Sequence, residues 1–200
     1  VCNVRKYFCI SINFKERLYM KRQVFYSFCF ADDFWRTQQV RNIGAIEGNA
    51  PTSANQWETV KRQGDAAIKK WIDDNMKNRS CVVVLIGTNT ADRKWVKYEI
   101  KRAWETGKGI VGIYINRLKD QDGKQSLMGD NPFDKFFIDK TFNYIAERGE
   151  AADHNEKRLS SVCKAYSPSY LTSTNAYKDI AENIQDLVEE AINIRNQYPK

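Results

Sequence analysis

The run CVVVLIG at positions 81–87 is apolar at every place up to its closing glycine. A strand with one face in water alternates apolar and polar side chains, so a run without alternation must be covered on both faces. IVGIYI at 110–115 is a second run of the same kind. Between them Val96, Ile100, Ala103 and Trp104 recur at helical spacing, and Gly107 closes that segment. Two fully buried strands joined by an amphipathic helix commit the chain to a layered α/β sheet.

The flanking segments extend this pattern. VFYSFCF (24–30) is rich in aromatic and β-branched residues and reads as the first strand. A short helix follows over 33–43, with Asp32 or Asp33 at its start. The glycines, proline and polar residues of 44–56 predict a loop that encloses a short second strand around 45–46. Residues 57–78 read as one helix whose buried stripe runs through Gly64, Ile68, Trp71 and Ile72. Thr90 is expected to cap a helix over 91–106. Residues 116–158 read as irregular and polar, with a turn at 120–123 and an anchor at 131–133, and a weak last strand is expected near 159–163. Tyr177, Ile180, Ala181, Ile184, Leu187, Val188 and Ala191 then mark an amphipathic closing helix.

This order predicts a doubly wound, mostly parallel sheet of flavodoxin-like strand order with helices on both faces. Ligands of such sheets bind beyond the carboxyl ends of the first and third strands, where the connections diverge. For this chain that selects residues 27–36 and 87–99. We expect one domain over 20–200. Residues 1–19 read as an extension upstream of a natural start at Met20, with an ordered accessory segment as the alternative. A secretory signal fits poorly, because no small-residue cleavage site follows the apolar YFCISINF.

Composition narrows the chemistry. Cys2, Cys9, Cys29, Cys81 and Cys163 are odd in number and scattered, with no C-x-x-C pair, and His154 is the only histidine. A disulfide framework, a zinc site and a histidine-based triad are therefore not expected, and a reduced, cytoplasmic setting is. The net charge is +7, of which residues 1–19 carry +3. No dense basic run with interleaved aromatics occurs, so a nucleic-acid partner is not expected. No stretch approaches the length of a membrane span, so a membrane partner is not expected either.

The glycine-rich fingerprints of dinucleotide redox enzymes and P-loop proteins, and the serine elbow of hydrolases, are absent. What remains is DRKWVKYEIKRAW at 92–104. On a helical wheel Glu99 lies about 60° from Val96, at the border of the buried stripe, on the side of Trp95 and Arg102. It can point into the crevice, or pair with Arg102 as a solvated surface group. Trp95 can stack on an aromatic ring of a ligand or cover the sheet edge. Asp32 can meet ribose hydroxyls or cap the following helix. Arg36 and Arg41 can meet a pyrophosphate or lie on the surface, and Ser27 is a polar contact at the strand end. Cys29 reads as a small residue of the core.

VFYSF, WETVKRQGDAAIKKWI, VVVLIGTNTADRKWVKYEIKRA, GIVGIYI and NPFD, in this order from Val24 to Asp134, resemble the TIR-like proteins of bacterial Thoeris antiphage defence, the ThsB type. The resemblance implies a flavodoxin-like TIR sheet in which the glutamate of the W-V-x-Y-E-I helix carries cleavage of NAD. That position is Glu99, and Phe25 and Phe28 match the aromatic wall of the nucleotide pocket. Cys29 stands where the family usually has a histidine, and the 44–56 segment lacks the phenylalanine–aspartate start expected before Trp57.

The implied reaction breaks the bond between nicotinamide and ribose. Nicotinamide leaves as a neutral molecule from a cationic one, so its departure needs no general acid, metal or cofactor. A single carboxylate that stabilises the oxocarbenium-like ribose is sufficient. NAD is then the substrate. The resemblance further implies a cyclic ADP-ribose-type product that activates a separate effector protein, and a homo-oligomer is a possible assembly. The competing reading is a non-enzymatic TIR interaction module. A phosphoacceptor receiver fits poorly, because CVVVLIG ends without a carboxylate.

Overall fold

The computed structural model describes residues 21–48, 54–139, 145–147 and 157–198. Its centre is a five-stranded parallel sheet in the order β2-β1-β3-β4-β8. The strands are β1 (Gln23–Ser27), β2 (Glu47–Gly48), β3 (Cys81–Ile86), β4 (Gly109–Tyr114) and β8 (Ala165–Tyr166). Every residue of β3 and β4 is buried, as their unbroken apolar runs require.

Alternate side chains of these strands feed two separate cores. Phe25, Val82, Val84, Ile86 and Ile110 face α3 (Asp65–Met76) and α4 (Lys94–Glu105), meeting Ile68, Ile72, Val96, Ile100 and Trp104. Val24, Tyr26, Val83, Leu85, Val111 and Ile113 face α1 (Phe30–Asn42) and α5 (Ser173–Asn196), meeting Val40, Ile180, Ile184 and Val188. Helices on both faces and the neighbouring β1 and β3 make this the doubly wound, flavodoxin-like sheet expected from the sequence.

Local geometry departs from expectation in five places. The first strand ends at Ser27, and α1 begins at Phe30, three residues before the expected start. The short second strand lies at 47–48, just beyond 45–46. The helix expected over 57–78 is two helices, α2 (Ala54–Arg62) and α3, broken at Gly64. Gly64 has φ +88° and is exposed, so it is a hinge in the left-handed region and not part of a buried stripe. Thr90 opens only a 3-10 turn, Thr90–Asp92; its hydroxyl accepts from Gly87 N and faces Leu85 O, while α4 starts after Arg93. The last strand is Ala165–Tyr166, because Leu159–Ser161 is a 3-10 turn that buries Leu159.

The polar stretch after β4 is more ordered than its composition suggests. Its first part is a loop strapped to α1, with the expected turn at 120–123. The anchor at 131–133 opens a 3-10 turn, Pro132–Lys135, in which the Asn131 side chain accepts from Phe133 N. Beyond it β5 (Phe136–Ile138), β6 (Ile145–Glu147) and β7 (Lys157–Arg158) form a small antiparallel sheet in the order β6-β5-β7. Phe133, Phe136, Ile138 and Ile145 plug it into the α3–α4 core. Among the described residues no helix is long and apolar enough to cross a membrane. The expectations for 1–19 and for His154 lie outside the described residues.

Candidate active site

β1 runs toward the crevice and stops at Ser27, so Phe28 and Phe30 stand at the rim where the chain turns into α1. Along α1 the positions Phe30, Phe34, Gln38 and Arg41 share one face by their spacing of four, four and three. Trp57 of α2 and Trp71 of α3 pack edge to face with centroids 5.8 Å apart and close the opposite side. Together with Phe25, Tyr26 and Glu99 these residues line a crevice of about 520 Å³, including its open mouth. Its wall is aromatic, and the two charged side chains on it are Glu99 and Arg41.

Glu99 sits in α4 one turn from Val96 and is only 8% exposed. The buried Ser27 hydroxyl donates to Glu99 Oε2 at 2.5 Å and fixes the carboxyl group from the sheet side. Arg102, the surface partner considered for Glu99, instead donates to Asp73 Oδ1 at 3.0 Å. Burial pushes the Glu99 carboxyl up to about 8, and the Ser27 hydrogen bond opposes that rise. A carboxyl held this way resists ionisation more than an exposed glutamate does. It is poised to ionise when positive charge arrives beside it.

Glu99, Ser27, Phe25 and Phe28 therefore come together in one place. Three other candidates lie elsewhere. Arg36 is 4% exposed and is consumed by structure: it donates to Leu118 O, Asp32 O, Asp33 Oδ1, Asp120 Oδ2 and Lys124 O. Asp32 bridges two loops, pairing with Arg93 at 2.8 Å and accepting from Asn89 at 3.0 Å. Those bonds, Asn89 first, hold its carboxyl below the usual range. Trp95 lies edge-on to Tyr98 beneath the Lys94 ammonium and packs against the α3–α4 core, outside the crevice lining. Cys29 is buried, and its thiol faces Asp32 Oδ2 at 3.3 Å.

Sequence reasoning missed Phe30, Phe34, Gln38, Trp57 and Trp71. The signal was present, since Phe30, Phe34, Gln38 and Arg41 make a helical stripe once α1 starts at Phe30. No group of three or more Cys, His, Asp or Glu side chains among the described residues is placed to hold a metal ion.

Residues 25–120 match the family described as Thoeris protein ThsB, TIR-like domain. Over that span the chain is similar to ThsB-type TIR-like domains. The match covers β1 through β4 and so contains every residue of the crevice. A Bacillus cereus (strain MSX-D12) protein, provisionally named cyclic ADP-D-ribose synthase ThsB1, is 40% identical over 121 residues, which is 58% of this chain. The aligned part spans 62% of that relative's length. The β5–β7 sheet, β8 and α5 lie beyond the matched TIR-like segment.

Proposed function

We propose that the chain cleaves NAD at the nicotinamide–ribose bond, with Glu99 as the catalytic residue, and releases a cyclic ADP-ribose-type signal. The observation that carries this reading is the buried Glu99 carboxyl, anchored by Ser27 inside an aromatic-walled crevice. The name of the Bacillus cereus relative supports the class of product.

The chemistry follows from the residues present. Aromatic faces hold flat rings and exclude water, which strengthens every electrostatic contact inside. As the C1′–N bond stretches, its electron pair goes to nicotinamide and positive charge grows on the ribose. Glu99 releases its proton to solvent as the cationic substrate binds, and its carboxylate then stabilises the charge where it forms. Ser27 acts through Glu99 as a positioning residue. The ribosyl cation is then captured by a nucleophile of the same molecule, which gives a cyclic product, or by water, which gives linear ADP-ribose. A water-poor wall favours the first. The product in turn would act on a separate effector protein.

One observation favours the interaction-module reading: Trp35, Leu127 and Leu171 are 52%, 78% and 70% exposed. Gln125 ties the latter two loops together by donating to Leu171 O. Such apolar side chains suit self-association.

The test is to incubate protein purified from phage-infected cells with NAD, resolve the small molecules by mass, and apply the filtrate to a Thoeris effector protein. Nicotinamide plus a product one water lighter than ADP-ribose, with effector activation, is expected. Linear ADP-ribose alone would remove the signalling step. No nicotinamide release, together with a concentration-dependent rise in mass on light scattering, would favour the module.

A further inference from the structure

Two successive glutamines of α1 have different surroundings. Gln39 faces the strap and donates to Lys119 O and Trp35 O. Gln38 faces the crevice, and its amide makes no hydrogen bond among the described residues. It lines the wall between Phe34, four residues before it, and Arg41, three residues after it. Neighbours at that spacing stand about 5–6 Å apart on one helix face. The Phe34 ring is itself backed by Phe30, with centroids 5.1 Å apart. A flat ring laid on Phe34 therefore turns its edge to the Gln38 amide. Stacking alone does not tell one base from another, because every base has a π-face. An amide does: it offers a donor and an acceptor side by side. Adenine presents the matching pair, its 6-amino group and N7, whereas guanine presents two acceptors there, O6 and N7. The carboxamide of nicotinamide also matches an amide, but the nicotinamide ring of NAD is cationic. Its charge draws it to the Glu99 carboxylate and away from the Arg41 guanidinium, which keeps its proton and lies 5.3 Å from the Tyr26 ring centroid. Neutral adenine carries no such penalty beside Arg41.

We infer that Gln38 selects adenine in the dinucleotide, by pairing its side-chain amide with the 6-amino group and N7 of the base. The inference rests on the proposed function and adds a specificity-determining residue to it. Glu99 acts on the bond that breaks, and Gln38 acts on which dinucleotide occupies the crevice. Gln38 touches no reacting atom, so its effect falls on binding.

The experiment measures the affinities for NAD and for nicotinamide guanine dinucleotide by calorimetry, on the full chain carrying Glu99→Gln, with and without Gln38→Met. Methionine keeps the length and helix propensity of glutamine and removes both hydrogen-bonding groups. The parent should bind NAD at least about tenfold more tightly than the guanine analogue, within the range of a bidentate amide–adenine pair. After Gln38→Met the two should bind within about twofold of each other, as stacking alone dictates. The ratio of two ligands on one protein is insensitive to a general loss of fold. Gln38→Arg should reverse the preference, because a guanidinium pairs with O6 and N7 of guanine. A merely structural glutamine would not produce that reversal, and the Gln38→Met ratio decides alone if Gln38→Arg does not fold. The 3-acetylpyridine analogue of NAD, which lacks the carboxamide amino group, is the second comparison. If Gln38→Met abolishes discrimination against that analogue and leaves the guanine ratio intact, Gln38 reads the carboxamide and the adenine assignment is overturned. An unchanged guanine ratio in Gln38→Met overturns it too, as does equal binding of NAD and the guanine analogue by the parent, or no NAD binding to the parent at millimolar concentration. An adenine preference that depends on Gln38, in a chain whose wild type releases no nicotinamide, would uphold the inference and refute the cleavage reading.

Discussion

Glu99 and Ser27 show how much one hydrogen bond can decide. A carboxyl buried in a crevice lined by Phe25, Phe28 and Trp71 resists ionisation, and the hydrogen bond from the Ser27 hydroxyl opposes this. The group must be ionised to act, so kcat/KM for NAD should rise with pH and level off above about 8. Ser27→Ala removes the bond that lowers the pKa. It should cut turnover by roughly tenfold at pH 7 and move the midpoint of the pH profile upward. A Ser27→Ala enzyme that loses activity but keeps the wild-type midpoint would make Ser27 merely structural. Glu99 and the β1 aromatics were legible through the family resemblance, whereas periodicity alone left Glu99 open between a crevice group and a surface partner of Arg102. Arg36, expected at the ligand, is held instead by Asp33, Asp120 and loop carbonyls, which only the fold reveals.

At the scale of elements, the strap between α1 and the loop after β4 is the clearest structural device. Arg36 reaches across to Leu118 O, Asp120 and Lys124 O, and Gln39 donates to Lys119 O. Arg36→Met should therefore destabilise the fold by about 3 kcal/mol, the scale of breaking a buried hydrogen-bonded ion pair, while nicotinamide release by the folded protein stays near wild type. Denaturant unfolding and a turnover assay check the two halves. Which elements could be read in advance follows from their length. β3, β4 and α5 carry uninterrupted patterns that have one solution. The three strands β5, β6 and β7 are two or three residues long, too short for a period of two to register. The break between α2 and α3 was hidden because an isolated glycine is tolerated inside a helical pattern; its positive φ is set by the two helices it joins.

Across the whole molecule, buried carboxyls set how stability varies with pH. Burial raises Glu99 to about 8 and Asp33 to about 6, both above their ordinary values. The folded state therefore holds these protons more tightly than the unfolded chain does. Their contribution is complete at acid pH and is lost as pH rises from the ordinary carboxylate range through about 6 for Asp33 and about 8 for Glu99. The size of the decline follows the two pKa differences, at about 1.4 kcal/mol per unit. Glu99→Gln should flatten the upper part of this decline, so the variant should melt no lower than wild type at pH 8. A lower melting temperature for the variant at that pH would mean that Glu99 is a structural anchor. The doubly wound order that makes this burial possible was legible early, because two unbroken apolar strands leave few architectures open.

The most direct measurement is nicotinamide release from NAD by wild-type and Glu99→Gln protein under the same conditions, with both shown to be folded. The account predicts measurable release by the wild type and a fall of at least about a hundredfold in the variant, the scale of losing a principal electrostatic stabiliser. Release by the variant at a rate close to wild type would contradict it.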